Sequence, residues 1–163
     1  MRFEMENGEL KAYDFNELES YKIARHLEEE GVKFCSEKLK STDNEDLKKV
    51  LSFLLNEEKR HRKIFEDRIS EIKDKSEDGF EEDDISDVIS SGVFNSLGGD
   101  LSKRDSGAYM EVVETGIIFE NRSIVFYGMC IKNTQNESGK NALREIVSEE
   151  KKHLELLQSL TIN

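Results

Sequence analysis

The sequence contains no proline and no tryptophan, and it has only two cysteines, Cys35 and Cys130. Without proline, nothing in the chain forces a kink or a break in a long helix. Two cysteines without Cys-x-x-Cys spacing are too few for a disulfide framework. We therefore expect both to be small buried apolar residues rather than redox partners.

The chain also lacks long apolar runs and any excess of positive charge. No run approaches the roughly 20 apolar residues that span a bilayer, and the first residues, MRFEMENGEL, contain no apolar signal core. The formal net charge of -12 disfavours binding to nucleic acids and to anionic membrane surfaces. We therefore expect a cytoplasmic protein that binds neither.

What the chain does have is charge and helical periodicity. Charged residues make up 37% and hydrophobic residues 36% of the sequence, a mixture typical of amphipathic helices with charged outer faces. Apolar residues recur every three or four positions in four stretches, which predicts four long helices. Asp14-x-x-Glu17 and Thr42-x-x-Glu45 have the spacing of helix-capping pairs. The four helices are expected to begin near Asp14, Thr42, Ser106 and Ser138.

Residues 74–106, between the second and third predicted helices, are acidic, polar and rich in turn formers. The stretch DISDVISSGVF within them predicts a short helix, and residues 1–12 are expected to form a poorly specified arm. One long connection between two helical hairpins, at about 14–73 and 106–160, predicts a four-helix bundle with a crossover. The length suits a single domain over residues 1–163.

An internal repeat at an offset of 92 positions relates the two hairpins. Between residues 28 and 61, 12 positions carry the same residue type 92 positions later, without a gap. The segment NEEKRH at 56–61 matches SEEKKH at 148–153. Two similar charged hairpins would explain the matching Lys and Glu residues, but not matching His residues on the apolar stripe.

The repeat places four glutamates and two histidines on the apolar stripes of the four helices. Glu58 and His61 are three positions apart, so they lie side by side on one helical face. Glu58 follows Leu51 by seven residues, and His61 precedes Phe65 by four, so both belong to the buried stripe. The six residues that share this placement are Glu28, Glu58, His61, Glu120, Glu150 and His153.

Four carboxylates in an apolar core require compensation, because burying even one unpaired carboxylate costs several kcal/mol. Two divalent cations would balance four carboxylates and two neutral imidazoles. The donor atoms are oxygen and imidazole nitrogen without thiolate, so Fe or Mn fits and Zn is compatible. Outside this set, His26 lies on another face and is expected at the surface. Glu29, Glu30, Glu57 and Glu149 are expected to point to solvent.

The stretches LEEEGVKFC with NEEKRH, and FENRSIVFY with SEEKKH, resemble the ferritin-like superfamily, most closely the rubrerythrin or erythrin di-iron domain. The resemblance covers most of residues 15–160. It implies that Glu58 and Glu150 bridge two metal ions and that Tyr127 hydrogen-bonds a ligating glutamate, so that these three residues act in catalysis. It further implies one terminal carboxylate and one imidazole for each metal, from Glu28, Glu120, His61 and His153.

The chain departs from rubrerythrins at two points. Ser123, with Gly31 as its repeat counterpart, stands where rubrerythrins carry a further glutamate, and no Cys-rich rubredoxin segment follows the bundle. The resemblance therefore implies a di-iron oxidoreductase that reduces peroxide or O₂, or oxidises ferrous iron, with electrons from a separate rubredoxin-like donor. It also implies a homodimer. The alternatives are a non-catalytic iron-binding or iron-handling protein, and a metal-free interaction bundle.

Overall fold

Four long helices form the body of the molecule in a computed structural model that describes residues 2–6, 9–13, 16–73 and 109–161. A β-hairpin precedes them. In chain order the elements are β1 (Arg2–Glu6), β2 (Glu9–Tyr13), α1 (Glu17–Ser41), α2 (Glu45–Lys73), α3 (Tyr109–Asn133) and α4 (Glu137–Ser159). The short helix expected within residues 74–106, and the predicted helix start at Ser106, lie outside the described residues.

The hairpin replaces the poorly specified arm expected for residues 1–12. β1 and β2 pair antiparallel, with Arg2 opposite Tyr13 and Glu6 opposite Glu9. Both strands largely alternate polar and apolar residues, the two-residue period of a β-strand. Asn7-Gly8 stands between them in the sequence, and this dipeptide is a strong hairpin signal. The sequence therefore contained the evidence for this element.

The first helix begins three residues later than the predicted start at Asp14. Asn16 is its N-cap, and its side chain accepts a hydrogen bond of 2.9 Å from the Glu19 amide. The Glu19 carboxylate in turn accepts from the Asn16 amide at 2.8 Å, which completes a capping box. Asp14, which was expected to pair with Glu17, lies outside the described residues.

Asparagine also caps α2 and α4, and the two caps are equivalent in the repeat. Asn44 Oδ1 accepts from the Leu47 amide at 2.9 Å, and Asn136 Oδ1 accepts from the Ser138 amide at 2.8 Å. Thr42, expected to cap α2, instead is buried and accepts from the Asn44 amide at 3.3 Å. Asparagine holds these positions because its side chain mimics the missing turn of backbone.

The helices pack with α1 most extensively on α2 and α3 most extensively on α4. Two apolar clusters fill the bundle, one at each end. The first combines the N-terminal halves of α1 and α4 with the C-terminal halves of α2 and α3, and the second combines the opposite halves. Because α2 and α3 run in the same direction, the arrangement is the one that the predicted crossover topology requires.

Candidate metal centre

The layer between the two apolar clusters is polar. On α2 it lies between Leu54 and Phe65, which belong to different clusters, and the other three helices repeat this order. Six ionisable side chains occupy the layer, each less than a tenth exposed. We call them the six-residue cluster: Glu28, Glu58, His61, Glu120, Glu150 and His153. The structure thus brings together all six residues that the sequence placed on the apolar stripes.

The six residues divide into two sets of four potential ligands. Glu28 and His61 belong to the first set, and Glu120 and His153 belong to the second. Both sets also contain Glu58 and Glu150, which therefore stand between the two positions. Within each set the ligand atoms lie within 4.8 Å of one another. This arrangement is compatible with two adjacent metal ions that share two carboxylates.

The first set contains three buried polar atoms that have no hydrogen-bond partner. These atoms are Glu28 Oε2, His61 Nδ1 and Glu150 Oε1. His61 Nδ1 lies 3.0 Å from Glu150 Oε1 and 3.6 Å from Glu28 Oε2, but neither contact is aligned as a hydrogen bond. Since unsatisfied buried polar atoms are rare in proteins, their convergence is what a cation-binding position requires. The residues present therefore fit a divalent metal ion.

The second set is held more closely by hydrogen bonding. His153 Nδ1 lies 2.9 Å from Glu150 Oε2, in hydrogen-bonding geometry. It lies 3.8 Å from Glu120 Oε2 and 4.0 Å from Glu58 Oε1. The rings of His61 and His153 stack with centroids 5.8 Å apart, so the two imidazoles stand side by side across the centre.

Burial without a cation shifts the proton affinities of the carboxylates. Desolvation raises the pKa of Glu28 to about 8, and it holds the pKa values of Glu58 and Glu120 well above the usual range. Burial also favours the neutral form of Glu150, but hydrogen bonding to His153 and contact with His61 outweigh it and lower the pKa to about 2. Of the four carboxylates, Glu150 is thus the one whose charged form is favoured.

The two imidazoles are shifted toward the charged form. Burial alone would lower the pKa of His61, but the Glu150 carboxylate outweighs it and raises that pKa to about 9. For His153, Glu120 and Glu150 likewise outweigh desolvation and raise the pKa to about 10. Without metal the cluster is thus an array that shares protons. Metal binding would release them, since ligating carboxylates and imidazoles must be deprotonated.

Tyr127 lies where the resemblance placed it, beside a glutamate of the cluster. Its hydroxyl donates a buried hydrogen bond to Glu28 Oε1. The repeat counterpart of Tyr127 is Cys35. Both cysteines, Cys35 and Cys130, are buried and have free thiols. Gly31 on α1 leaves the space that the Glu58 side chain fills, because a Cβ at residue 31 would come within 3.2 Å of Glu58 Cδ.

The sequence predicted that Glu149 and Glu57 point to solvent, and this was wrong. Both pair with Arg60, and Glu149 also contacts His61. Glu149 Oε2 lies 3.0 Å from His61 Nε2 and 2.8 Å from Arg60 Nη2. Arg60 also pairs with Glu57 Oε2 at 2.7 Å. Glu149 precedes His153 by four residues, one helical turn, so the sequence placed it near a ligand but could not indicate that it contacts the histidine of the other hairpin.

The other neighbouring residues lie away from the cluster. Glu29 is exposed and pairs with Arg62 at 2.5 Å. His26 is partly exposed and lies 3.6 Å from Glu30, one turn along the same helix. Both positions agree with the expectation of surface roles.

The model of the protein family described as rubrerythrin matches residues 22–161 of the chain. No curated protein and no solved structure matches the chain. Within the described residues, no helix is long and apolar enough to cross a membrane.

Proposed function

Since the chain belongs to the rubrerythrin family, we propose that it is a di-iron oxidoreductase that reduces peroxide or O₂ with electrons from a separate donor protein. The observation that carries the proposal is the pair of four-residue ligand sets that share Glu58 and Glu150. Two ions in adjacent positions can act together on the two oxygen atoms of one oxidant.

In this proposal Glu58 and Glu150 would be shared by the two ions. Glu28 and His61 would complete one position, and Glu120 and His153 would complete the other. Four carboxylates and two neutral imidazoles balance two divalent ions, so the loaded centre carries no net charge. An oxygen-rich set of ligands with imidazole and no thiolate suits iron, and it also accommodates manganese.

Two ferrous ions held there would supply the two electrons that cleave the oxygen–oxygen bond of a peroxide. Hydrogen peroxide takes up those two electrons and two protons and leaves as two water molecules, and the donor protein then returns the electrons. The donor is a rubredoxin-like protein in this proposal. We also expect the chain to act as a homodimer.

The chain itself orients the ligands and limits access of water. Tyr127 holds one carboxylate oxygen of Glu28 in place, which leaves the other oxygen, Oε2, free to bind an ion. The apolar clusters on either side of the layer exclude water from most of the centre. Such a site strengthens the interaction of each ligand with its ion.

The test is anaerobic loading of the purified protein with ferrous iron, followed by peroxide addition with a rubredoxin as reductant. We expect two irons per chain and repeated peroxide turnover. Glu150→Gln should lose iron and activity. Glu155→Gln makes the same change at an exposed position of α4 and should resemble the wild type. Turnover no faster than that of free iron at the same concentration would refute the enzymatic proposal.

The second candidate is a non-catalytic iron-binding or iron-handling protein. Ser123 and its repeat counterpart Gly31 favour it, because neither supplies the further carboxylate that rubrerythrins carry at the position of Ser123. In that case the protein would bind two irons and release them to a chelator, without turning over peroxide. The same experiment separates the two, since iron content and peroxide consumption are measured independently.

A further inference from the structure

The outer side of His61 carries a contact that its counterpart lacks. His61 Nε2 faces away from the centre and lies 3.0 Å from Glu149 Oε2. The same oxygen forms an ion pair with Arg60 Nη2 at 2.8 Å, and Arg60 pairs on its other side with Glu57 at 2.7 Å. A carboxylate from α4 is thereby fixed against a histidine of α2 by an arginine between two glutamates.

The chemistry of the three groups determines where the imidazole proton lies. Arg60 Nη2 lies 3.2 Å from His61 Nε2, and because an arginine only donates this contact alone would favour a lone pair on Nε2. The shorter contact is with Glu149 Oε2, at 3.0 Å, and a lone pair on Nε2 would face that carboxylate oxygen, which can only accept. Glu149, with its carboxylate oxygen, can accept from both nitrogens at once. In its neutral form His61 then carries its single proton on Nε2, and the lone pair is on Nδ1, which faces Glu28 and Glu150. This is the tautomer that a metal ligand bound through Nδ1 requires.

The internal repeat should give His153 the same support from Glu57, the counterpart of Glu149, but it does not. Glu57 is drawn to Arg60, whose own counterpart, Lys152, is exposed. The ring of His153 instead meets the edge of Phe53, with centroids 5.7 Å apart. Within the part of the chain that the structure describes, no residue makes a hydrogen bond to His153 Nε2.

We propose that Glu149, held by Arg60, is a positioning residue for His61 and makes the Glu28–His61 position the tighter of the two metal sites. The inference rests on the proposed metal centre. A carboxylate behind a ligating histidine fixes the ring and raises its basicity, and loss of such a partner typically costs about 10- to 100-fold in metal affinity. The Glu120–His153 position, without that partner, fills second.

The experiment is a calorimetric titration of metal-free protein with Zn²⁺ in the presence of a competing chelator. The wild type should bind two ions in two resolved steps. Glu149→Gln should weaken the first step by about 10-fold or more, whereas Glu57→Gln should leave it unchanged. The two variants are matched, because both remove one charge beside Arg60 at equivalent positions of the repeat, and only Glu149 contacts His61.

A second readout does not depend on affinity. In Zn²⁺-loaded protein with ¹⁵N-labelled histidine, only three histidines contribute. His61 should show a proton on Nε2 that exchanges slowly with solvent, in the wild type and in Glu57→Gln, and that exchanges fast in Glu149→Gln. This readout on the wild type alone decides the question if a variant does not fold.

The outcomes separate this inference from the proposed function. If the wild type binds no metal ion, the proposed centre is wrong and this inference falls with it. If the wild type binds two ions and Glu149→Gln and Glu57→Gln both bind the first ion as tightly as the wild type, the centre stands and the role of Glu149 is refuted. A His61 ring that binds zinc through Nε2 would also refute it.

Discussion

The hydrogen bond between Tyr127 and Glu28 offers the sharpest test of how the centre is supported. Tyr127→Phe removes only the hydroxyl that donates to Glu28 Oε1, and both residues are fully buried. The aromatic ring stays packed against Phe65 and Phe126. The variant therefore leaves a buried carboxylate oxygen without its donor while the volume of the core barely changes.

A hydrogen bond to a charged group contributes about 1.5–3 kcal/mol to stability. We therefore expect Tyr127→Phe to lower the unfolding free energy of the metal-loaded protein by about 2 kcal/mol. For a protein of this size, each kcal/mol shifts the melting temperature by about 2–4 °C, so the expected loss is about 4–8 °C. Bound iron should also become easier for a chelator to remove, because Glu28 is less firmly oriented.

Tyr21→Phe is the matched control. Tyr21 OH donates to Glu17 Oε1 at 2.9 Å, a contact of the same kind in which Glu17 is only partly buried. A water molecule can replace that donor, so this variant should lose no more than about 1 kcal/mol. Calorimetry of both variants with metal bound provides the measurement. Equal melting temperatures for Tyr127→Phe and Tyr21→Phe would refute the reasoning.

Four further outcomes follow from the same geometry. Chelation should lower the melting temperature, because the repelling carboxylates lose their cations; an unchanged thermogram would contradict a loaded site. In metal-free protein, Glu28 binds its proton more tightly when folded, with a pKa of about 8 against 4.5 in the unfolded chain. That stabilisation is fully present below pH 4.5 and is lost as the pH rises towards 8, so unfolding in urea should become easier between pH 5 and 8, and a flat profile would count against it. His61→Ala and Glu58→Ala should each lower the metal content from two ions to one or none by elemental analysis. Gly128→Ala, where a Cβ meets nothing within 4 Å, should stabilise α3 by about 1 kcal/mol, whereas Gly31→Ala should show no such gain, because its Cβ presses on Glu58 at 3.2 Å.

The sequence was sufficient to predict the bundle and the membership of the six-residue cluster. The reason is that helical periodicity places Glu58 and His61 on one face, and the repeat supplies the equivalent pair on α4. Whether these six residues bind metal stays a prediction, which the titrations above address. The helix starts were less accurate, since Asp, Thr and Asn can all cap a helix. The match of Asn44 with Asn136 in the repeat could have indicated the correct caps.

The contact of Glu149 with His61 could not be predicted from the sequence. Its position one turn before His153 indicates the same helical face, but the rotation of α4 against α2 decides which histidine it reaches. The asymmetry between Arg60 and Lys152 was visible in the alignment of NEEKRH with SEEKKH. Its consequence depends on distances of a few ångströms between helices, which no spacing along one helix encodes.

The polar layer between the two apolar clusters also fixes how the helices align along the bundle axis. Sliding α2 by one turn past its neighbours would carry Glu58 or His61 among leucines and phenylalanines, where an ionisable group without partners costs several kcal/mol. Each cluster also draws on all four helices, so neither hairpin can complete a core alone. The polar layer therefore sets the axial register of the helices, so that an otherwise repetitive leucine-rich interior assembles in a single alignment.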